Sequence, residues 1–209
     1  MATKTKDLVI EQGKTFKHVL RYGEQEYVYS PIASISASAP AVIVTTAAHG
    51  VPDGWPVTVV SALGSTQINA ANSPPKEADY RKATVLTSTS LELNEVNSSA
   101  YTAHTPGTGY VQYRKPVDLA GYVGRMKIKD KVGGVLLAST EAGDALLNTL
   151  VVSVDNANKA ITILMSSANT AELEWTKGVY ELELVGAAPD YVTDAPLAGK
   201  ITVSKEIAT

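Results

Sequence analysis

The chain reads as all-β: a β-sandwich host domain with a nested small β-barrel module and at most one or two short helices. Three observations carry this reading. Short runs rich in Val, Ile, Thr and Tyr recur along the sequence, broken by Gly, Pro, Asn and Asp. The runs return about every ten residues with turn signals between them, the spacing of sandwiches and barrels. A stretch running from AVIVTTAAHGVPDGWPVTVV to YTAHTPGTGYVQY is a complete β-unit by itself. The pattern before it, DLVIEQGKTFKHVLRYG, resumes after it at PVDLAGYVGRMKIKD. The host is therefore expected at 1–36 and 114–209, and the insertion at 37–113.

Residues 6–11 form the first expected strand. Gly13 breaks it, and 15–22 alternates as a second, with Phe16, His18, Leu20 and Tyr22 on one face. Segments 26–30 and 33–36 read as a crossing passage. Inside the insertion, 41–46 is dense in β-branched residues. The cluster His49-Gly50-Val51-Pro52-Asp53-Gly54 turns the chain into 56–61, and 64–69 follows. Residues 72–83, NSPPKEADYRKA, read as a loop, because Pro74-Pro75 interrupts any regular ladder. A hairpin over 83–86 and 90–93 precedes the return strand at 109–113. The second host half offers strands at 124–129, 135–138, 150–154, 160–165, 178–185 and 199–204. One or two helical turns fall within 167–175, capped by Ser167 and ended by Gly178.

Composition narrows the function. The 209 residues carry a net charge of −3 and a pI near 5.6. That balance argues against a nucleic-acid surface, which needs a basic excess to neutralise phosphates. There are no cysteines, so disulfides and thiolate chemistry are out and manufacture in a reducing cytoplasm is expected. The N-terminus has no apolar core of a signal peptide, and no run approaches the length of a membrane helix.

No motif points to catalysis, a metal or a cofactor. The three histidines are dispersed. His18 lies on an apolar strand face as a satisfied core histidine, His49 sits in a turn whose backbone its ring bonds, and His104 is expected to be exposed in a Thr/Gly loop. Glu181 and Glu183, two apart on a strand, share the solvated face opposite Tyr180 and Leu182, and Glu172 and Glu174 lie near a helix start. No phosphate-cradling loop or nucleophile elbow is present.

Several pieces occur in a specific order: Ala41-Val42-Ile43-Val44-Thr45-Thr46, Ala48-His49-Gly50-Val51, Asp53-Gly54 with Val57-Thr58-Val59, Gln67-Ile68-Asn69, Ala83-Thr84-Val85, Leu91-Glu92-Leu93 and Tyr101. Together they resemble a β-module frequent in tailed-bacteriophage virion proteins. That module is similar to the small barrel named after the first catalytic-cysteine half-domain of ubiquitin-activating enzymes. The stretch from Pro74-Pro75 to Arg81 departs from it as a longer loop. In the host, Val9-Ile10-Glu11-Gln12-Gly13, Asp118-Leu119-Ala120-Gly121-Tyr122 with Arg125 and Ile128, Gly178-Val179-Tyr180-Glu181-Leu182-Glu183-Leu184 and Leu197-Ala198-Gly199-Lys200-Ile201-Thr202-Val203 resemble phage baseplate and upper-fibre β-sandwich domains. Neither resemblance brings a catalytic centre.

The resemblance implies a non-enzymatic structural component of a tailed-phage virion, made in the bacterial cytoplasm and placed in the tail, baseplate, head–tail connector or fibre attachment. Its partners would be other virion proteins and copies of itself, with no nucleic acid and no membrane. The alternative is a receptor- or carbohydrate-binding module at a fibre tip, using loops 72–82 and 97–109 against a host-surface glycan. Ten Tyr against one Phe is an excess that fits contact surfaces. Tyr22, Tyr27, Tyr29, Tyr110 and Tyr113 are candidates for such a surface, with packing between the two modules as the rival reading. Leu8, Val9 and Ile10 are candidates within an N-terminal contact segment, 3–11, that adds to a neighbouring sheet.

Overall fold

Period-two alternation sets the pleat of most strands. In the computed structural model, which describes residues 4–141, 144, 150–186 and 192–205, the chain is all-β with one short helix. Strands β1 (Lys4–Thr5), β2 (Leu8–Glu11) and β3 (Phe16–Arg21) come first. They are followed by β4 (Gly23–Ile35), β5 (Ala41–Thr45), β6 (Pro56–Val60), β7 (Arg81–Thr87), β8 (Ser90–Leu93) and β9 (Tyr110–Pro116). The chain ends with β10 (Val123–Lys129), β11 (Leu136–Ser139), β12 (Val151–Asp155), β13 (Ala160–Met165), α1 (Ser167–Ala171), β14 (Lys177–Val185) and β15 (Val192–Ser204). Contacts divide these into two units. One holds the residues up to 22 and those from 118 on; the other holds 23–117.

The first unit is a sandwich of two unequal sheets. β11, β10, β14 and β15 run antiparallel in that order, and β1 and β2 lie parallel to β15 on its far side. The facing sheet is β12–β13–β3. Met126, Ile128, Leu182, Leu197 and Ile201 from one sheet, and Ile161, Ile163 and Met165 from the other, are buried. Each contributes roughly 1.5–3 kcal/mol relative to exposure. At Gly124 the sheets approach so closely that a Cβ would lie 2.2 Å from Val152 Cγ1. The helix is capped one residue before the expected position: Ser166 accepts from the Asn169 amide at 3.2 Å. Thr170, buried, donates to Lys14 O at 2.8 Å.

The second unit is a closed barrel in the order β4–β5–β8–β7–β6–β9. Ile32, Ile43, Trp55, Val57, Val59, Leu91, Val111 and Tyr113 fill it. Trp55 Nε1 donates to Arg114 O at 3.0 Å, which satisfies its one polar atom. The barrel is unevenly sealed. β4 pairs with β9 from Tyr27 to Pro31, whereas β6 and β7 are joined only by Pro56 with Lys82 and Val57 with Arg81. Past that point β6 parts from β7, and Asn69 bridges to Val59 instead.

Four expectations are corrected. The boundary at 36/37 moves to 22/23, and 113/114 moves to 117/118. Segments 26–30 and 33–36 form no crossing passage; Gly23–Ile35 is one long strand, because β4 spends its backbone hydrogen bonds on β9 and then on β5. Its polar opening, GEQE, shows no buried face from which this could be read. Within 64–69, residues Thr66–Ile68 make a 3₁₀ turn rather than a strand. The expected loop 72–83 ends at Tyr80, before β7 starts at Arg81, and holds a 3₁₀ turn at Glu77–Asp79.

Candidate functional site

The candidate contact residues separate by strand parity. Leu8 and Ile10 point into the sandwich core, and Val9 between them is 59% exposed. β2 is already paired with β15, Leu8 opposite Ile201 and Ile10 opposite Val203. Its Leu8 and Ile10 side chains and one of its edges therefore belong to its own unit, and Val9 and the other edge carry the expectation of a contact with a neighbouring sheet. Thr3, the first residue of that segment, lies outside the described residues. Tyr22 is buried in the sandwich and Tyr113 in the barrel, where its hydroxyl donates to His49 O. Burial pushes the Tyr113 phenol up.

Tyr27, Tyr29 and Tyr110 come together on the outside of the barrel. On β4 the outward positions are Tyr27, Tyr29 and Pro31; opposite them on β9 stand Arg114, Gln112 and Tyr110. Tyr29 is 52% and Tyr110 43% exposed, and their rings meet edge to face at 6.3 Å and 88°. The Arg114 guanidinium carbon lies 4.9 Å from the Tyr27 ring centre, within cation–π range. Arg114 also donates to Glu24 O at 3.3 Å, and Lys115 pairs with Glu24 and Glu26.

Gln112 points outward yet is buried, because Tyr80 covers it: Gln112 Nε2 donates to Tyr80 Oη at 3.0 Å. Burial and a hydrogen bond with Tyr27 push the Tyr80 phenol up to about 12. Asp79 holds the loop leading to Tyr80. Its carboxylate accepts from the Lys76 amide at 2.8 Å, the Ala71 amide at 3.1 Å and Asn72 Nδ2 at 3.0 Å. These donors, the Lys76 amide foremost, hold its carboxyl below the ordinary range. The result is a fixed face of Tyr27, Tyr29, Tyr80, Tyr110 and Arg114. Aromatic side chains with few rotatable bonds, held by neighbours, lose little entropy when covered by a partner.

Sequence reading missed Tyr80, Gln112 and Arg114. The signal for the last two was present: period two across 110–114 sets Tyr110, Gln112 and Arg114 on one face, and Val111 and Tyr113 on the other. Tyr80 sits in an irregular loop, where no periodicity applies.

The histidines are separate. His49 is buried and accepts from the Val51 amide through Nδ1 at 3.0 Å; Nε2 lies 3.0 Å from Thr87 O, so Nε2 carries the proton. His18 is half-buried on the inward face of β3; burial, then Lys6 and Lys4, hold its pKa below the usual value. His104 is half-buried rather than exposed. Its Nε2 lies 3.0 Å from Thr108 O, and its Nδ1 is buried without a partner among the described residues. Among those residues no group of three or more His, Cys, Asp or Glu is placed to hold a metal ion, and no helix is long and apolar enough to cross a membrane. No protein-family model matches the chain, and no curated protein matches it significantly.

Proposed function

We propose that this protein is a non-enzymatic structural component of a tailed-phage virion, working through protein–protein contacts in a symmetric assembly. The observation that carries the assembly reading is the rigid, exposed tyrosine face of the barrel, with Tyr29 and Tyr110 locked edge to face and Tyr27 under Arg114. Aromatic and Arg side chains of this kind are the groups that dominate binding energy at interfaces. The phage assignment rests on the ordered resemblance of the pieces between residues 41 and 101. In a ring or spike each copy meets identical neighbours, so modest contacts add through multivalency.

The test is a double substitution, Tyr29→Ser with Tyr110→Ser, in the phage gene. The expected outcome is a protein that keeps its thermal transition but is missing from purified particles. Normal uptake of the folded double variant would reject the tyrosine face as the assembly contact. Absence of even the wild-type chain from particles would reject the virion reading.

A further inference from the structure

A second feature of the barrel lies where its weakest seam opens. Beyond the two pairs that join β6 to β7, the strands part and leave a cleft of about 290 Å³. Its floor is apolar, with Ile68 buried there. Its walls come from three separate segments: Gln67 from the 3₁₀ turn, Arg81 from the start of β7, and Glu95, Asn97 and Tyr101 from the passage after β8.

These walls have hydrogen-bonding capacity that the fold does not use. Asp79, also at the rim, is fully engaged in holding its own loop. Among the described residues, by contrast, the Glu95 carboxylate and the Tyr101 hydroxyl have no hydrogen-bond partner. Asn97 uses only Oδ1, which accepts from Ser99, and leaves its amide hydrogens. Gln67 uses only Nε2, on Thr102, and leaves its carbonyl. Arg81 donates through Nη1 to Ala78 O and Tyr80 O and keeps the rest of its fork.

We propose that this cleft binds one unit of a neutral sugar. The unused groups are mixed: acceptors at Glu95 and Gln67, donors at Arg81 and Asn97, and both at Tyr101. Vicinal hydroxyls both donate and accept, and so match such a set. The half-buried Tyr101 ring offers an apolar surface to the C–H face of a pyranose. Glu95 and Asp79 oppose an anionic ligand, and Arg81 opposes a cationic one. The volume sits at the lower end of ligand sites and suits a single ring. This inference does not depend on the assembly reading, because it uses none of the tyrosine-face residues.

The experiment is a titration of the ¹⁵N-labelled full-length chain with methyl glucoside, methyl galactoside and N-acetylglucosamine, with N-acetylneuraminic acid and inorganic phosphate as anionic comparators. A neutral sugar should shift the amides around Gln67, Arg81, Glu95 and Asn97, with a Kd of about 1–10 mM, as expected for so small a ligand. Glu95→Ala and Asn97→Ala should each weaken binding at least about fivefold, since each leaves sugar hydroxyls unpaired. Both sites are exposed, so the thermal transition should hold. Tyr101→Phe keeps the ring and should weaken binding less than Glu95→Ala. Tyr29→Ser should leave it unchanged. The proposal falls if no neutral sugar shifts these amides at about ten times that Kd, if N-acetylneuraminic acid or phosphate binds more tightly, or if the shifts centre on Tyr29 and Tyr110.

Discussion

The barrel and the sandwich bury similar side chains but are specified in different ways. Among the described residues most of the buried polar groups belong to the barrel: Thr58, and Ser30, Thr45, His49, Ser65, Ser98 and Gln112, whose side chains each have a hydrogen-bond partner. The sandwich buries Ser139 and Thr170, and places its charges on a sheet surface, where Arg125 joins Glu183 to Glu141 and Lys127 joins Glu141 to Asp144. Closure also separates them. A closed barrel has no free edge, so what it offers a ligand lies on its faces and at the β6–β7 seam. The sandwich ends in open edges, and lysines 4, 6 and 17 stand exposed along β1–β3, as expected of guarded strands. A unit with many buried, hydrogen-bonded polar side chains can present rigid surface groups, because its core already fixes one arrangement.

The strongest way to break the comparison is Trp55→Ala. Trp55 is 1% exposed at the centre of the barrel and bonded to Arg114 O. The change should cost about 3–5 kcal/mol. Hydrogen exchange should then lose protection over 23–117 while β10, β13 and β14 keep theirs. Equal loss in both units would show that they fold as one cooperative body.

Much of this contrast was legible in the sequence. Alternation in 160–165 and 178–185 marked strands with one buried face, and turn clusters such as Pro52-Asp53-Gly54 marked where the chain reverses. The boundary at 22/23 was not legible, because Gly23 enters the barrel by pairing its backbone with Pro116 and residues 24–26 lie in the register shift before Tyr27, which leaves no side-chain pattern. The exposed tyrosine face was half legible. Tyr27, Tyr29 and Tyr110 stand in the sequence beside Tyr22 and Tyr113 as tyrosines flanking the junction, and parity across 110–114 separates Tyr113 from Tyr110. Tyr80 and the cleft depend on where an irregular loop lands after closure, and only long-range pairing decides that.

A second test concerns how glycine is used in each unit. In the sandwich, Gly124→Ala drives a methyl to within 2.2 Å of Val152 Cγ1. Overpacking of this kind costs about 1–3 kcal/mol. Val152→Ala removes the obstructing methyl, so the double variant should recover most of the thermal midpoint. In the barrel, Gly107 has φ +74 and open space around its Cβ position. Gly107→Ala should cost about 1–2 kcal/mol of backbone strain alone. If Val152→Ala gives Gly124→Ala no relief, the close approach of β10 to β12 is not what the glycine serves.

The smallest expected effect is a pH step carried by the sandwich. His18 is held below its ordinary pKa first by burial, then by the positive charges of Lys6 and Lys4. The unfolded chain therefore takes up a proton at this site more readily than the folded one. The stability His18 contributes is complete above the unfolded value of about 6.5. It declines as pH falls through that value toward the lowered folded pKa, since protonation then favours the unfolded state. Denaturant unfolding followed at sandwich amides between about pH 7.5 and 5.5 should show a fall in stability for the wild type and a flatter profile for His18→Gln. Lys6→Gln should reduce the step without abolishing it, because burial is the larger cause. A wild-type profile unchanged by His18→Gln would place the acid sensitivity elsewhere. The next candidate would be the Glu141 carboxylate, which Lys127 holds below its ordinary pKa and which loses its contribution only at more acidic pH.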